Sequence, residues 1–222
     1  VTRDKTKATN LIKWAKDKEK ARKIVKKIED AGLNPTEFVT NSLLENGVPE
    51  EIGETIKLFL NEDIGIDIQV LKKCKKMLEI DQNKRNDIIQ IAGTIKKMGI
   101  SSDIFEEVPE FLIKAKPEEI EPVYEILKQY NILLTNKNIA TAFLGSADNI
   151  RKNIDWAIEN GAYDVAQSGY LPLFELDNSQ VNMIANVLLQ NEESLITGKE
   201  KRTLNNIFMC NEKKILKKYD IT

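Results

Sequence analysis

The apolar positions of the chain recur with two interleaved periods, each about thirty residues long. In the first series, a Gly or Asn follows an apolar helical stripe at steps of 30 to 34 residues. Gly and Asn accept the left-handed backbone conformation that closes a helix. The predicted helix ends are Gly32, Gly65, Gly99, Asn131, Gly161 and Asn191.

The stripe before each predicted end has helical spacing, because apolar residues stand four and eight positions before the Gly or Asn. The repeats that fit best supply Ile24, Ile28, Ile91, Ile95, Val123, Leu127, Met183 and Val187. An apolar residue also follows most ends, such as Leu33, Ile100 and Ile132. Two repeats fit less well: Gly65 has an extra residue before it, and near Gly161 the stripe shifts to Ile154 and Ile158.

The second series consists of large apolar doublets between the helix ends, again at steps of 30 to 34 residues. They are Leu43-Leu44, Met77-Leu78, Phe111-Leu112, Phe143-Leu144, Leu173-Phe174 and Ile207-Phe208. Two series with nearly the same period are typical of stacked helical repeats. In such repeats, neighbouring units bury apolar stripes that a single unit could not bury alone. The sequence therefore predicts an all-α fold, a right- or left-handed superhelical array (solenoid) of roughly 30–34-residue helical-hairpin repeats.

This pattern predicts one helical-repeat domain over residues 1–222. Residues 1–33 form an N-terminal cap, with one long helix over residues 3–31. Residues 34–198 hold about five repeats, and residues 199–222 form basic closing helices. Capping residues predict further boundaries: Asn34 and Pro35 begin a helix that ends at Asn46-Gly47, a helix within 67–79 puts Cys74 on its apolar face, and Pro109 interrupts another. Ser101 or Ser102, Thr135 and Ser146 are predicted N-caps.

The residues that most catalytic and metal sites use are scarce. The chain has no His and two Cys, Cys74 and Cys210. It has no phosphate loop, dinucleotide turn or nucleophile elbow. Adjacent Glu pairs point in different directions on a helix, and most of them stand in first turns, where the helix dipole favours acids. We therefore predict no catalytic residues, no metal and no cofactor, and a buried structural role for Cys74.

Cysteine use and hydropathy bear on location. Two isolated cysteines favour a reducing, intracellular (cytoplasmic) setting, although a disulfide between them stays open in principle. No apolar run approaches the ~20 residues that a membrane span needs. The chain begins at Val1 without a methionine, and we expect it to be part of a longer protein, whose other parts are candidate partners.

Charge is unevenly distributed. Residues 1–30 have a net charge of +6, residues 31–198 of −12 and residues 199–222 of +4, which gives −2 in total. An acidic body with an apolar repeat favours a non-enzymatic scaffold that binds another protein or another part of its parent chain. The basic ends leave DNA or RNA as an alternative partner.

Residues from about 70 to 198 resemble the mitochondrial transcription termination factor (mTERF) family. The resemblance rests on Met98-Gly99-Ile100, Val108-Pro109-Glu110-Phe111-Leu112 and Ile120, and in part on Leu171-Pro172-Leu173-Phe174. It implies a curved helical solenoid that binds nucleic acid without enzymatic chemistry. Two basic pairs on corresponding helices are then the candidate nucleic-acid-binding residues: Lys96, Lys97, Arg151 and Lys152.

Overall fold

The structure is a computed structural model that describes residues 12–13, 15–61 and 64–159, and the single residues 167, 174 and 179. It divides into two compact units, Val1–Pro117 and Glu118–Thr222. Eleven α-helices and one 3-10 helix lie wholly within the described residues, and no strand occurs among them. The expected all-α class is confirmed for this part of the chain.

Five long helices carry the apolar stripes. They are α1 (Lys18–Asp30), α4 (Pro49–Phe59), α6 (Gln82–Lys97), α9 (Pro117–Gln129) and α11 (Ala147–Glu159). Each buries residues at helical spacing, for example Ile24 and Ile28 in α1 and Ile91 and Ile95 in α6. Ile154 is buried as the stripe predicts, whereas Ile158 is 42% exposed, so the shifted stripe of α11 stops one turn earlier than expected.

Short helical pieces connect the long helices. They are α2 (Pro35–Phe38), α3 (Asn41–Asn46), α5 (Ile68–Lys73), the 3-10 helix (Lys75–Glu79), α7 (Ile104–Glu107), α8 (Phe111–Lys114) and α10 (Asn136–Ala142). These pieces bury the predicted doublets: the first three doublets are buried completely, as is Phe143 of the fourth, and Phe174 of the fifth is also buried. Leu173 and the doublet Ile207-Phe208 lie outside the described residues.

The predicted helix ends have the expected backbone. Gly32, Gly65 and Gly99 have φ of 75°, 72° and 71°, and Asn131 has φ of 51°. The residue after three of these ends donates its amide to a carbonyl five residues back, as Ile100 N does to Ile95 O at 3.2 Å. This is the Schellman closure, in which the residue after the left-handed one packs back on the helix. The closure explains why an apolar residue follows the Gly or Asn. Gly161 and Asn191 lie outside the described residues.

In the first unit, several elements pack on an element of the same kind that begins 31 to 36 residues further along the chain. The long helix α1 packs on α4, and α4 packs on α6. The short pieces do the same: α2 packs on α5, α3 on the 3-10 helix, and α5 on α7. Long and short elements also meet, as α6 and α8 do. Apolar side chains on both kinds of element therefore share one core between neighbours.

Three predicted helices are shorter or more broken than the apolar pattern suggested. The helix expected over residues 3–31 begins at Lys18, because Asp17 Oδ1 accepts the amide of Lys20 at 2.9 Å and caps it there. Residues 15–17 are not helical, and residues 1–11 and 14 lie outside the described part.

The helix expected from Asn34 to Asn46 is two helices. Asn34 caps the first as predicted, but Thr40 caps a second, since its hydroxyl oxygen accepts the amide of Leu43 at 3.1 Å. The helix expected within 67–79 also breaks, at Cys74, whose φ of −128° and ψ of 79° are not helical. The predicted interruption at Pro109, between α7 and α8, is confirmed.

Candidate functional site

The predicted nucleic-acid residues lie on the long helices of two different units. Lys96 and Lys97 form the last turn of α6 in the first unit, and both are exposed. Neither forms an ion pair with another residue that the structure describes. Cations in this position suit the helix dipole, whose negative end lies at the helix C-terminus.

Arg151 and Lys152 stand in the second turn of α11 in the second unit, and both are exposed. Both are engaged locally: Lys152 Nζ lies 2.6 Å from Asp148 Oδ2, and Arg151 Nη1 donates to Gln129 Oε1 at 3.2 Å. The Arg151 contact joins α11 to the end of α9. These two side chains therefore have protein partners that a phosphate would have to replace.

The lysine run around Cys74 is also engaged between repeats. Lys72 Nζ lies 2.8 Å from Glu37 Oε2, one repeat earlier, and Lys73 Nζ lies 2.9 Å from Glu106 Oε2, one repeat later. These pairs are half exposed, so each contributes little stability, about 0–1 kcal/mol. They show, however, that this run of positive charge faces carboxylates of its own chain.

Cys74 is buried, and its thiol has a raised pKa. Burial is the main cause, and the negative charge of Glu110 adds to it. A raised pKa leaves less thiolate, which is the reactive form of cysteine. The geometry agrees with the packing role that the sequence predicts. Cys210 lies outside the described residues.

A series of polar joints, which are hydrogen bonds or ion pairs between elements, connects residues 25 to 34 positions apart, and the sequence analysis did not identify it. Lys20, the third residue of α1, donates through Nζ to Glu45 O at 2.7 Å, near the end of α3. Lys84, the third residue of α6, donates to Ala115 O at 2.9 Å, just after α8. Both lysines satisfy a carbonyl at the C-terminal end of a short helix, where a cation is favoured.

Carboxylates occupy the same position in α4 and α9, two of the other three long helices. Glu119, the third residue of α9, accepts the amide of Ala147, the first residue of α11, at 2.8 Å. Glu51, the third residue of α4, meets Arg85 of α6. A charged residue at the third helical position, repeated every 31 to 35 residues along the sequence, is the signal that would have located these joints.

Arg85 makes the most buried of these joints. Its side chain is 5% exposed, and its guanidinium contacts the Glu51 carboxylate one repeat earlier. It also donates to Ile80 O at 3.2 Å and to Gln82 Oε1 at 2.8 Å, with a longer contact to Thr55 Oγ1 at 3.5 Å. Oε2 of Glu51 is buried and has no hydrogen-bond partner of good geometry among the described residues, so the Arg85 charge compensates it.

A groove of about 430 Å³ lies beside Lys96 in the first unit. It separates the turn at Gly65 from the turn that runs from Gly99 to Ser102, one repeat later. Its lining is mostly apolar: Ile64, Ala92, Ile95, Ile100 and Phe105. Of the predicted site residues, Lys96 is the one that contributes to this lining.

Neither a family model, nor a curated protein, nor a solved structure matches the chain. No helix in the described part is both long and apolar enough to cross a bilayer. Within that part, no cluster of three or more metal-ligating Cys, Asp or Glu side chains occurs.

Proposed function

We propose that this chain is a helical-repeat solenoid that acts as a non-enzymatic scaffold, and that it binds another protein or another part of its parent chain. The packing of α1 on α4 and of α4 on α6 carries this proposal, because each contact joins elements one repeat apart. The joints of Lys20, Lys84 and Arg85 support it, since each also reaches into a neighbouring repeat.

The chemistry of the repeat surface favours a protein partner. In a solenoid, each repeat contributes exposed positions to one extended surface, which suits an extended or helical partner segment. Within the described part, several lysines that would attract phosphate are paired with carboxylates, including Lys72, Lys73 and Lys152. Residues 31–198 have a net charge of −12, which repels a polyanion.

Nucleic-acid binding is the second candidate, in line with the resemblance to the mitochondrial transcription termination factor family. The exposed Lys96 and Lys97 favour it, because neither is paired with a described carboxylate. A protein that neutralises several phosphates needs such unpaired cations in one stripe. Arg151 and Lys152 could join them only by leaving Gln129 and Asp148.

A salt series with two matched variants separates the candidates. One variant reverses the predicted site through Lys96→Glu, Lys97→Glu, Arg151→Glu and Lys152→Glu. The control reverses four other exposed lysines through Lys18→Glu, Lys26→Glu, Lys116→Glu and Lys137→Glu. Binding of labelled duplex DNA and of single-stranded RNA is measured by fluorescence anisotropy at increasing salt.

For a scaffold, wild type and both variants should bind nucleic acid only weakly, and to similar extents at physiological salt. Phosphate contacts by the four site residues would instead give tight binding that weakens with salt. They would also reduce the slope of log K against log salt by about 3–4 in the site variant alone. That second outcome would replace the scaffold with the nucleic-acid alternative.

A further inference from the structure

The groove between Gly65 and Gly99 exists because two successive repeats end in a left-handed glycine. A Cβ built on either glycine would meet nothing within 4 Å, so the space beside both turns is open. Side chains are strained at φ near +70°, and Gly therefore both closes the helix and leaves this space unfilled. The groove is thus a consequence of how these two repeats end.

The groove has an apolar floor and partly open walls. Ala92, Ile95 and Phe105 are 1–3% exposed and form the floor, whereas Ile64 and Ile100 are half-buried at the sides. Its volume of about 430 Å³ lies within the range of about 300–1,000 Å³ that is usual for ligand pockets. A surface of this kind gains free energy when an apolar side chain displaces its water.

The charge at the groove has one sign among the described lining residues, where Lys96 is the sole ionisable side chain. The carbonyls of the last turn of α6 do not require this lysine, since backbone amides already bind them: Met98 N donates to Thr94 O and Gly99 N to Lys96 O. The ammonium group is therefore available to an outside acceptor. Carboxylates and phosphates both form strong charge-assisted hydrogen bonds with such a cation, and the carboxylate is the one that an unmodified protein segment supplies.

We propose that this groove binds a segment of a partner protein that presents a bulky apolar side chain next to a carboxylate. The apolar side chain occupies the floor over Ala92 and Phe105, and the carboxylate meets Lys96 at the rim. This proposal rests on the scaffold function above and names the place and chemistry of one of its contacts. It also gives Lys96 a role other than phosphate binding.

The test compares two adjacent lysines of which only one lines the groove. Lys96→Glu reverses the charge at the rim, and Lys97→Glu makes the same change one residue further along α6, outside the lining. The probe is the capped peptide acetyl-Gly-Glu-Phe-Leu-Glu-Gly-amide, and the matched probe has both Glu replaced by Lys. Binding is followed by amide chemical shifts on the full chain.

The Glu-containing peptide should shift amides of Ile64 to Ile66 and of residues 95–105, and the Lys-containing peptide should bind more weakly. Lys96→Glu should raise the Kd for the Glu-containing peptide about fivefold or more, since even exposed ion pairs contribute up to about 1 kcal/mol and reversal adds repulsion. Lys97→Glu is the matched control, because it makes the same charge reversal outside the groove. It should change that Kd less than twofold.

Several outcomes would overturn the proposal. They are equal losses in the two variants, preference for the Lys-containing peptide, shifts confined to residues away from the groove, or no shifts at millimolar peptide. Self-association that Lys96→Glu abolishes would assign the groove to a second copy of the chain instead. If the peptide does not bind the groove and nucleic acid binds only weakly in the salt series, the groove proposal is wrong but the scaffold function is not contradicted. The two proposals can therefore be distinguished.

Discussion

The long helices and the short helical pieces of this chain both bury apolar side chains, but they differ in what stabilises them. A long helix such as α6, with 16 residues, satisfies most of its own backbone and ends in a Schellman closure. A short piece such as α7, with 4 residues, has one helical turn and buries Ile104 and Phe105 completely. Helices this short are unstable in isolation, because nucleation costs more than one turn returns.

The difference shows which elements depend on contacts with parts of the chain that are distant in sequence. The short pieces obtain their stability from the doublets they bury and from polar joints that reach their ends, such as Lys84 Nζ to Ala115 O after α8. In α1 and α6, the lysine that makes such a joint is the third residue of the helix. We therefore expect the short pieces of the first unit to be stable only while the elements they pack on are present.

The largest expected effect comes from removing one whole repeat. Deleting residues 33–65 joins Gly32 to Ile66, which places α1 before α5 in the way that α4 stands before it. The deletion also carries Arg85→Met, because it removes Glu51, the partner of that buried guanidinium. Since Gly32 and Gly65 have nearly the same left-handed φ, 75° and 72°, we expect a protein that keeps its helical circular dichroism and unfolds cooperatively. Thermal and urea unfolding measured by circular dichroism provide the readout.

The matched control deletes half as much, residues 33–48, which removes α2 and α3 but keeps α4. This leaves the long helices α1 and α4 in direct succession, without the short pieces that pack against α5 and the 3-10 helix. We expect loss of cooperative unfolding. Equal behaviour of the two deletions would contradict a repeat of about 33 residues.

The buried joint between α4 and α6 should give the next largest effect. Arg85→Ala leaves the buried Glu51 Oε2 without its compensating charge, and we expect it to lower the free energy of unfolding by about 3 kcal/mol. This is the low end of the range for breaking a buried pair, because the Glu51 side chain as a whole is 37% exposed. Urea unfolding of purified protein measures the change.

A double variant separates the pair from the packing. Arg85→Met with Glu51→Leu replaces both charges with apolar groups, and we expect it to recover at least half of the loss. As a control, Lys73→Ala removes a half-exposed ion pair with Glu106 and should cost less than about 1 kcal/mol. A cost for Lys73→Ala equal to that of Arg85→Ala would mean that burial does not distinguish the two joints.

Sequence reasoning succeeded where a single residue determines the backbone. Gly32, Gly65, Gly99 and Asn131 all have positive φ, because the left-handed conformation that ends a helix restricts the residue to Gly or Asn. The caps Asn34, Thr135 and Ser146 were found for a similar reason, since their side chains accept amides two or three residues ahead. These local rules located the long helices and the left-handed residues that follow four of them.

Sequence reasoning failed where tertiary contacts decide. The breaks at Val39-Thr40 and at Cys74 interrupt continuous apolar patterns, and only Thr40 leaves a capping signal that could have been read. The joints of Lys20 and Lys84 were missed because an exposed lysine on a helix looks like ordinary surface. The groove was not predictable either, because it depends on how closely the turns at Gly65 and Gly99 approach.

A pair of glycines tests the helix-ending rule directly. Gly99 closes α6 at a φ of 71°, whereas Gly93 stands inside the same helix, and neither has an atom within 4 Å of its would-be Cβ. Gly99→Ala should therefore destabilise by about 1–2 kcal/mol through backbone strain alone. Gly93→Ala should stabilise by about 0.5–1 kcal/mol, because Ala is the better helix former. This account would be contradicted if urea unfolding showed that both substitutions stabilise the protein or that both destabilise it.

The smallest expected effect concerns the contact that joins the end of α9 to α11. Tyr130 donates its hydroxyl hydrogen to Asp155 Oδ1 at 2.5 Å, and this hydrogen bond is the main cause that raises the pKa of Tyr130, with burial second. Tyr130→Phe should cost about 1 kcal/mol at neutral pH, the usual net value of one hydrogen bond. Since the folded-state pKa of Tyr130 lies above the unfolded value of about 10, the hydrogen bond contributes fully to the free energy of unfolding below pH 10. This contribution decreases as pH rises through the folded-state pKa.

The difference in unfolding free energy between wild type and Tyr130→Phe should therefore decrease above pH 10. The control is Tyr124→Phe, which keeps its ring beside Lys128 and should change stability little. A difference for Tyr130→Phe that stayed constant into alkaline pH would mean that the hydroxyl hydrogen does not hold these two helices together.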